Sequence, residues 1–349
     1  MRYTHGGDVY GHPGILDFSA NISPLGLPNS AKRALMDTIP QWGRYPDPYC
    51  RDLTHALCER EGVPERWVAF GAGAAELIFR AAHLLRPAQA LVMAPTFCEY
   101  EAALAAEGCR VRHYLLTRQN GFRMDEGILE CLTADLDFVA LCNPNNPTGE
   151  VIGRELLQSI LERCKKNDIW LLADECFLPF LDDPDAYSGI GFLNAYPQLL
   201  LLRAFTKTYA MAGLRLGYLL CADERFIERA KASAPPWNIS TPAQVAGVAA
   251  LRDTDYLTQA RDAVREERAW MRSELEKLGL EVFGSRANYL FFCCEQPAHL
   301  EQALEQAGIL IRACGDYVGL DGRFYRAAVR LREENCQLVQ AVKTVLKGG

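Results

Sequence analysis

Short strand-like runs punctuate the chain at Trp67–Phe70, Ala90–Met93, Val111–Leu115, Phe138–Leu141, Ile169–Leu172 and Leu199–Leu202, with helical patterns between them. Most of these runs are continuously apolar rather than alternating, which requires both faces of a sheet to be covered. For a chain of 349 residues this predicts an α/β fold, a mostly parallel sheet between two layers of helices. Gly153–Lys166, with Leu156, Leu157, Ile160 and Leu161 at helical spacing, reads as one of the crossover helices.

Within that frame the stretch from Arg203 to Tyr218 carries the strongest chemical signal. It lies between the apolar runs Leu199–Leu202 and Tyr218–Cys221 and contains Lys207, with Arg215 between Gly213 and Gly217. An unpaired lysine beside two buried strands is costly as a cation, and a lysine deprotonated by such surroundings is a nucleophile. An arginine flanked by glycines can be presented close to the backbone as a fixed cation. A Schiff-base lysine and a phosphate-holding arginine are the two groups that pyridoxal phosphate requires. The alternative is a buried loop with two bases reaching for solvent.

Three further stretches point the same way. Asp174 ends the run Ile169–Leu172, and ligands of open α/β sheets bind at the carboxyl ends of strands. A carboxylate there can keep a pyridine nitrogen protonated: at ~4 Å and an effective dielectric near 20 the attraction is about 4 kcal/mol, roughly three pKa units. Asn143-Pro144-Asn145-Asn146-Pro147-Thr148-Gly149 follows Phe138–Leu141 as a rigid turn whose amides can bond a ring oxygen. Gly71-Ala72-Gly73-Ala74-Ala75-Glu76 follows Trp67–Phe70 and opens a helix, whose exposed amides suit a phosphate. Each stretch alone is compatible with ordinary turn chemistry. Together they converge on one cofactor.

On these residues the chain resembles, over nearly its whole length, the fold-type I pyridoxal-phosphate aminotransferase superfamily (class I/II). The resemblance implies a large domain and a smaller α+β carboxyl-terminal domain. It implies that Lys207 forms the Schiff base, that Asp174 pairs with the pyridine nitrogen, and that Asn146 holds the ring hydroxyl. Arg215, with Gly73, Ala74, Ala75 and Thr206, would hold the phosphate, and Phe97 would stack on the ring. Two positions depart from the pattern: Ala204 replaces the usual Ser or Thr three before the lysine, and Phe177 the tyrosine three after the aspartate. Tyr45 matches a tyrosine that reaches a neighbouring subunit's cofactor phosphate, so a homodimer with a shared site is implied. Arg326 matches the arginine that holds the substrate α-carboxylate.

At the amino terminus, His5-Gly6-Gly7 and the segment Asp17-Phe18-Ser19-Ala20-Asn21-Ile22-Ser23-Pro24-Leu25-Gly26 resemble the threonine-phosphate decarboxylases of cobalamin biosynthesis. That likeness implies a carboxy-lyase acting on a phosphorylated hydroxy-amino acid, threonine phosphate above all. The related histidinol-phosphate aminotransferases are the alternative, and a ligand sensor without catalysis a third class. A sensor of the transcription-regulator kind carries a DNA-binding domain ahead of this fold, and with the first motif already at His5 a sensor is not expected. Asn21 is a second group for the carboxylate. For the substrate phosphate the cations considered are His5, Arg2, Arg154 and Arg330, the last expected four along a strand from Arg326 and on its face, with a salt bridge as the alternative.

Composition narrows the partners. A formal charge of −7 without a basic run argues against a nucleic-acid surface. Thirteen cysteines, with no Cys-x-x-Cys spacing, indicate neither a disulfide framework nor a metal site. Residues 1–10 lack the apolar core of a secretory signal, and no run approaches the ~20 residues of a membrane span, so a cytoplasmic enzyme is expected. The domains read as an arm lining the site at 1–30, a large domain at 31–240, ending near the helix-breaking Pro235-Pro236, and a small domain at 241–349. One charged helix, Tyr256–Leu278, opens the latter.

Overall fold

A computed structural model describes residues 5–348. The strands are β1 (Leu16–Asp17), β2 (Val68–Gly71), β3 (Gln89–Ala94), β4 (Arg110–Leu115), β5 (Phe138–Cys142), β6 (Trp170–Asp174), β7 (Leu199–Ala204), β8 (Gly217–Leu220), β9 (Glu281–Phe283), β10 (Tyr289–Cys293), β11 (Ile309–Leu310), β12 (Arg312–Ala313) and β13 (Phe324–Ala328). Seven of them form one sheet in the order β2-β8-β7-β6-β5-β3-β4. Strand β8 pairs antiparallel with both of its neighbours, and the remaining pairs are parallel. All five residues of β5 are buried, as the continuous apolar pattern requires.

Helices α1 (Asn29–Thr38) and α2 (Arg51–Glu61) precede this sheet. Helices α3 (Ala74–Leu85), α4 (Glu99–Ala106), α5 (Ile128–Cys131) and α6 (Arg154–Lys166) alternate with its strands, and the single turn α7 (Phe205–Thr208) follows β7. Helix α6 begins after Gly153 and buries Leu157, Ile160, Leu161 and Cys164, a four-residue stripe at helical spacing. Helix α8 (Glu224–Ala232) starts where the Asp223 carboxylate accepts from Phe226 N at 3.0 Å.

A second sheet, order β12-β13-β10-β9, is antiparallel throughout. It is flanked by α10 (Thr254–Lys277), α11 (Leu300–Gln306) and α12 (Arg332–Gly348). The edge expected at residue 240 does not separate the two cores. Helix α9 (Thr241–Arg252) lies against α1 and α2, and its buried Ala243, Ala246 and Ala250 join the core of the large sheet. These small residues let three helices approach closely, so the passage to the second sheet is made by α10.

The amino-terminal arm is more ordered than its lack of periodicity suggests. Its β1 pairs in parallel with β11, Leu16 opposite Ile309. Ala328 N then donates to Phe18 O at 2.7 Å, and Ser23 N to Lys207 O at 2.9 Å. The arm therefore ties the second sheet to the turn that carries Lys207. No helix among the described residues is long and apolar enough to cross a membrane.

One buried ion cluster fixes the floor of this turn. Arg203 Nη2 lies 2.7 Å from Glu175 Oε2, and its Nη1 2.5 Å from Glu61 Oε2; Glu175 has no exposed surface. Removing one partner of such a group leaves uncompensated buried charge. Arg203→Ala is expected to destabilise the fold by about 3–5 kcal/mol, read as a lower urea midpoint.

Candidate active site

Strand order places a switch point between β3 and β5, since the chain runs outward from β3 to β4 and then returns to the other side of β3. Crevices form at the carboxyl ends of strands at such points. Here the loop after β3 carries Phe97 and the loop after β5 carries Asn146, and Asn145 ties the two together. Thr96 Oγ1 donates to Asn145 Oδ1 at 2.8 Å, and Asn145 Nδ2 donates to Pro95 O at 2.9 Å. In the next strand, β6, Asp174 is the last residue and only 5% exposed.

Asp174 is held by two donors, the Tyr100 hydroxyl on Oδ2 at 2.6 Å and Cys176 N on Oδ1 at 2.9 Å. Burial pushes its carboxyl above the ordinary value, and the two hydrogen bonds oppose that shift by favouring the ionised form. Tyr100 also meets Phe97 edge to face, with ring centroids 5.8 Å apart. This tyrosine is buried in α4 at an ordinary core position, and nothing in the sequence pattern distinguishes it.

Lys207 stands in α7, and its field includes Arg326, Cys176, Arg215 and Asp174. Enclosure of the amine, then the two arginines, lower its pKa to about 8. Thr206, one residue earlier, is buried. Of the two departures from the superfamily pattern, Ala204 closes β7 and Phe177 is packed edge-on against Tyr289 at 5.1 Å.

Arg326, in β13, crosses from the second sheet into this site. Its Nη1 donates to Asn146 Oδ1, and its Nη2 to Ser19 O at 2.7 Å. Its Nε is buried without a protein partner, as are both amide atoms of Asn21, which is 2% exposed. Arg312 lies directly opposite Arg326 in the β12–β13 pair, so both side chains leave the same face of the sheet. Asp316 holds the Arg312 guanidinium by two hydrogen bonds of 2.7 and 2.9 Å. The sequence shows Arg312 as one arginine among many, and the strand register gives it its place.

At the far end of the crevice α3 begins at Gly73, with φ +93°, a backbone conformation that side chains other than glycine rarely adopt. A Cβ at Gly73 would lie 2.5 Å from Arg215 Nη2, so the guanidinium rests on bare backbone where Ala74 and Ala75 start the helix. Gly217 is equally constrained, its Cβ position being 2.8 Å from Ala74 N. These glycines bring Arg215 and the first amides of α3 together.

The His-Gly-Gly segment crosses the arm at close range. A Cβ on Gly6 would collide with Ser19 O, and Gly7, at φ +92°, donates its N–H to Ser19 Oγ at 2.7 Å. His5 is thereby set beside Phe97, with ring centroids 5.8 Å apart, and its Nε2 lies 2.7 Å from Glu99 Oε1. The imidazole thus faces a carboxylate. His5, Gly6, Gly7, Ser19, Arg312 and Asp316 line one cleft of about 500 Å³.

Two expected site residues lie elsewhere, and a third faces outward. Strand β13 ends at Ala328, so Arg330 is past the strand and does not share the Arg326 face. It donates to Asp17 O at 3.0 Å and pairs with Glu334 at 2.5 Å, which is the salt-bridge alternative. Arg154 packs over the Phe192 ring at 4.5 Å, away from the crevice. Tyr45 is 78% exposed and stacks on Trp237 at 4.4 Å, so within one chain it does not reach the buried cluster. Arg2 lies outside the described residues.

A lysine beside a buried aspartate, at the carboxyl ends of a mostly parallel sheet, with an arginine over a helix amino terminus, defines a class of enzymes. The aminotransferase class I and II family model matches residues 13–342, and the chain belongs to that family. Over 336 residues it is 42% identical to threonine-phosphate decarboxylase of Salmonella typhimurium, covering 96% of this chain and 92% of that protein. It is 33% identical to histidinol-phosphate aminotransferase 1 of Cupriavidus pinatubonensis, over 96% of this chain and 89% of that one. The crystal structure of histidinol-phosphate aminotransferase from Clostridium acetobutylicum superposes with a TM-score of 0.90 at 30% identity, covering 96% of this chain and all of that one.

Pyridoxal 5'-phosphate, the cofactor of this family, fits the residues present. The Gly73 cradle under Arg215 accepts a phosphate, Asp174 offers a buried acceptor, and the lowered amine of Lys207 suits a Schiff base. Gly73→Ala would push a methyl group into the guanidinium and strain the backbone. It is expected to weaken cofactor retention on dialysis by at least about tenfold, since a lost charge-assisted contact costs about 1.5–3 kcal/mol. The unfolding midpoint should move far less than for Arg203→Ala.

The lowered pKa of Lys207 sets a second expectation. Its neutral amine is the nucleophile, and it becomes abundant as pH rises through about 8. The initial rate at which cofactor-free enzyme takes up the cofactor should climb about tenfold per pH unit below that value and level off above it. A plateau beginning only near the ordinary lysine value would contradict the assigned surroundings.

Proposed function

We propose that this protein is a pyridoxal-phosphate-dependent carboxy-lyase that converts L-threonine O-3-phosphate to (R)-1-aminopropan-2-yl phosphate and carbon dioxide, a step of cobalamin biosynthesis. The observation that carries this reading is the pair of arginines in register. Arg326 and Arg312 leave one sheet face side by side, so a small substrate with a carboxylate and a nearby phosphate can engage both. Histidinol phosphate has no carboxylate to match the second arginine. The arm beginning His5-Gly6-Gly7 and the 42% identity to the Salmonella decarboxylase support the same choice.

In this reading Lys207 holds the cofactor, Asp174 its ring nitrogen, Asn146 its ring hydroxyl, and Phe97 its face. Arg215, Gly73, Ala74, Ala75 and Thr206 surround the phosphate. The bound cofactor supplies an electron sink for the bond broken at Cα. Arg326 and Asn21 orient the substrate carboxylate; each has a buried polar atom with no protein partner. Arg312 takes the substrate phosphate, and the arm with His5 closes the cleft against water. Lys207 Nζ delivers the proton that replaces the lost carboxylate at Cα, a transfer well matched to an amine titrating near 8.

Arg312→Ala is expected to raise the KM for phosphothreonine by about tenfold to a hundredfold, the loss of a charge-assisted pair. Its visible spectrum should stay that of the parent enzyme. Assay of the parent with phosphothreonine should release carbon dioxide. Glutamate formed from histidinol phosphate and 2-oxoglutarate, with no carbon dioxide, would instead assign the aminotransferase reaction.

The active form is proposed to be a homodimer in the cytoplasm. Met36, Ile39, Trp42, Tyr45 and Tyr49 expose 45–78% of their surface along one stretch of chain, an apolar face suited to a second copy. None of the thirteen cysteines is bridged, which suits a reducing compartment. If Tyr45 completes the neighbour's phosphate site, mixing Lys207→Ala and Tyr45→Phe chains should yield heterodimers with one intact site. Activity should then exceed that of either variant alone, and equal activity would exclude sharing through Tyr45.

A further inference from the structure

The arm and the turn entering α4 bring three different ligating side chains to one point. A ring nitrogen of His5, Cys98 Sγ and a Glu99 carboxylate oxygen all lie within 4.8 Å of one another. Among the described residues no other set of three His, Cys, Asp or Glu side chains does so. His5 and the Cys98-Glu99 pair are far apart in sequence, so ligand spacing could not reveal them. The Gly6 crossing and the Gly7–Ser19 hydrogen bond fix where His5 stands, which makes the set part of the fold rather than of a loose terminus.

A tetrahedral ion about 2.0–2.3 Å from nitrogen, oxygen and sulfur donors needs those donors roughly 3.3–3.8 Å apart. Side-chain rotation of about 1 Å achieves this, and Cys98 is exposed while His5 and Glu99 are partly so. Imidazole, thiolate and carboxylate together select a borderline divalent ion over magnesium or calcium.

We propose that His5, Cys98 and Glu99 form a zinc(II) site with three protein ligands and an open fourth position. Binding replaces the His5–Glu99 contact by two metal bonds, sends the proton held between those two groups to the other His5 ring nitrogen or to solvent, and releases the Cys98 proton to solvent. The ion staples the arm to α4 beside Phe97, at the cleft lined by His5, Gly6, Gly7 and Arg312. It would hold the arm in one position and slow the exchange of any substrate that must pass beneath it. The inference goes beyond the proposed reaction and holds whichever phosphorylated substrate is used.

Cys98 and Cys336 are both exposed, so one can report on the site while the other serves as its reference. Metal-stripped holoenzyme is alkylated with iodoacetamide, with and without zinc sulfate, and the two cysteines are followed by peptide mapping. At zinc about ten times its Kd, Cys98 should react about tenfold more slowly, with Cys336 unaffected. Glu99→Gln should abolish most of that protection, and Cys98→Ser should lose one zinc per chain in equilibrium dialysis. Equal protection of both cysteines, no protection of Cys98, or full zinc binding by Cys98→Ser would overturn the proposal. Neither readout depends on turnover, so a different substrate would leave the outcome intact.

Discussion

Asp174 is a carboxylate taken almost wholly out of water, and the rest of the site is arranged around that cost. Unpaired, such a group neutralises instead of remaining charged. Two donors, Tyr100 and Cys176 N, keep the ionised form accessible, and the Lys207 amine adds an attractive charge when protonated. Each of these comes from a different place in the chain. Tyr100 requires α4 to start just after the Phe97 loop, Cys176 the turn leaving β6, and Lys207 the turn leaving β7. The sheet order supplies this convergence, because β3, β5, β6 and β7 end on the same side near the switch point.

Arg326 extends the arrangement to the second sheet. It joins Asn146, from the large sheet, to Ser19 O, from the arm. The arm is in turn bonded to β11, to β13 through Ala328, and to Lys207 O. A shift of the second sheet relative to the first would therefore disturb Asn146 and the lysine turn at once. This is why an amino-terminal segment with only two residues of regular strand is so well fixed: its bonds go to parts of the molecule that must already be in place.

Much of the fold was legible because the signal was local. Continuous burial on both faces makes β5, β6 and β7 read as apolar runs, and observed limits differ from the runs by a residue or two. The Lys207 turn, Asp174, Asn146 and the glycine loop were legible because each ends or follows such a run. What could not be read depends on pairing across distance. The two-residue β1 has its partner in β11, near the other end of the chain. Arg312 matters through its register with Arg326, and Tyr100 through a contact with a residue in another element. Arg330 was misplaced for a related reason: its expected place required the strand to run from Arg326 through residue 330, whereas β13 ends at Ala328.

The two arginines that depress the Lys207 amine, Arg326 more than Arg215, are also the ones to which the proposed function assigns the anionic groups. When a carboxylate sits on Arg326 and a phosphate on Arg215, those anions offset the positive field at the lysine. Burial alone then remains to hold its pKa below the ordinary value, with Cys176 and Asp174 working against it. In that reading the proton affinity of Lys207 is lower before those anions bind, when a neutral nucleophile is needed to take up the cofactor. It rises as the anions arrive, when the same amine must carry a proton to Cα. One lysine can serve both steps because the charges that tune it are those of its ligands' own binding groups.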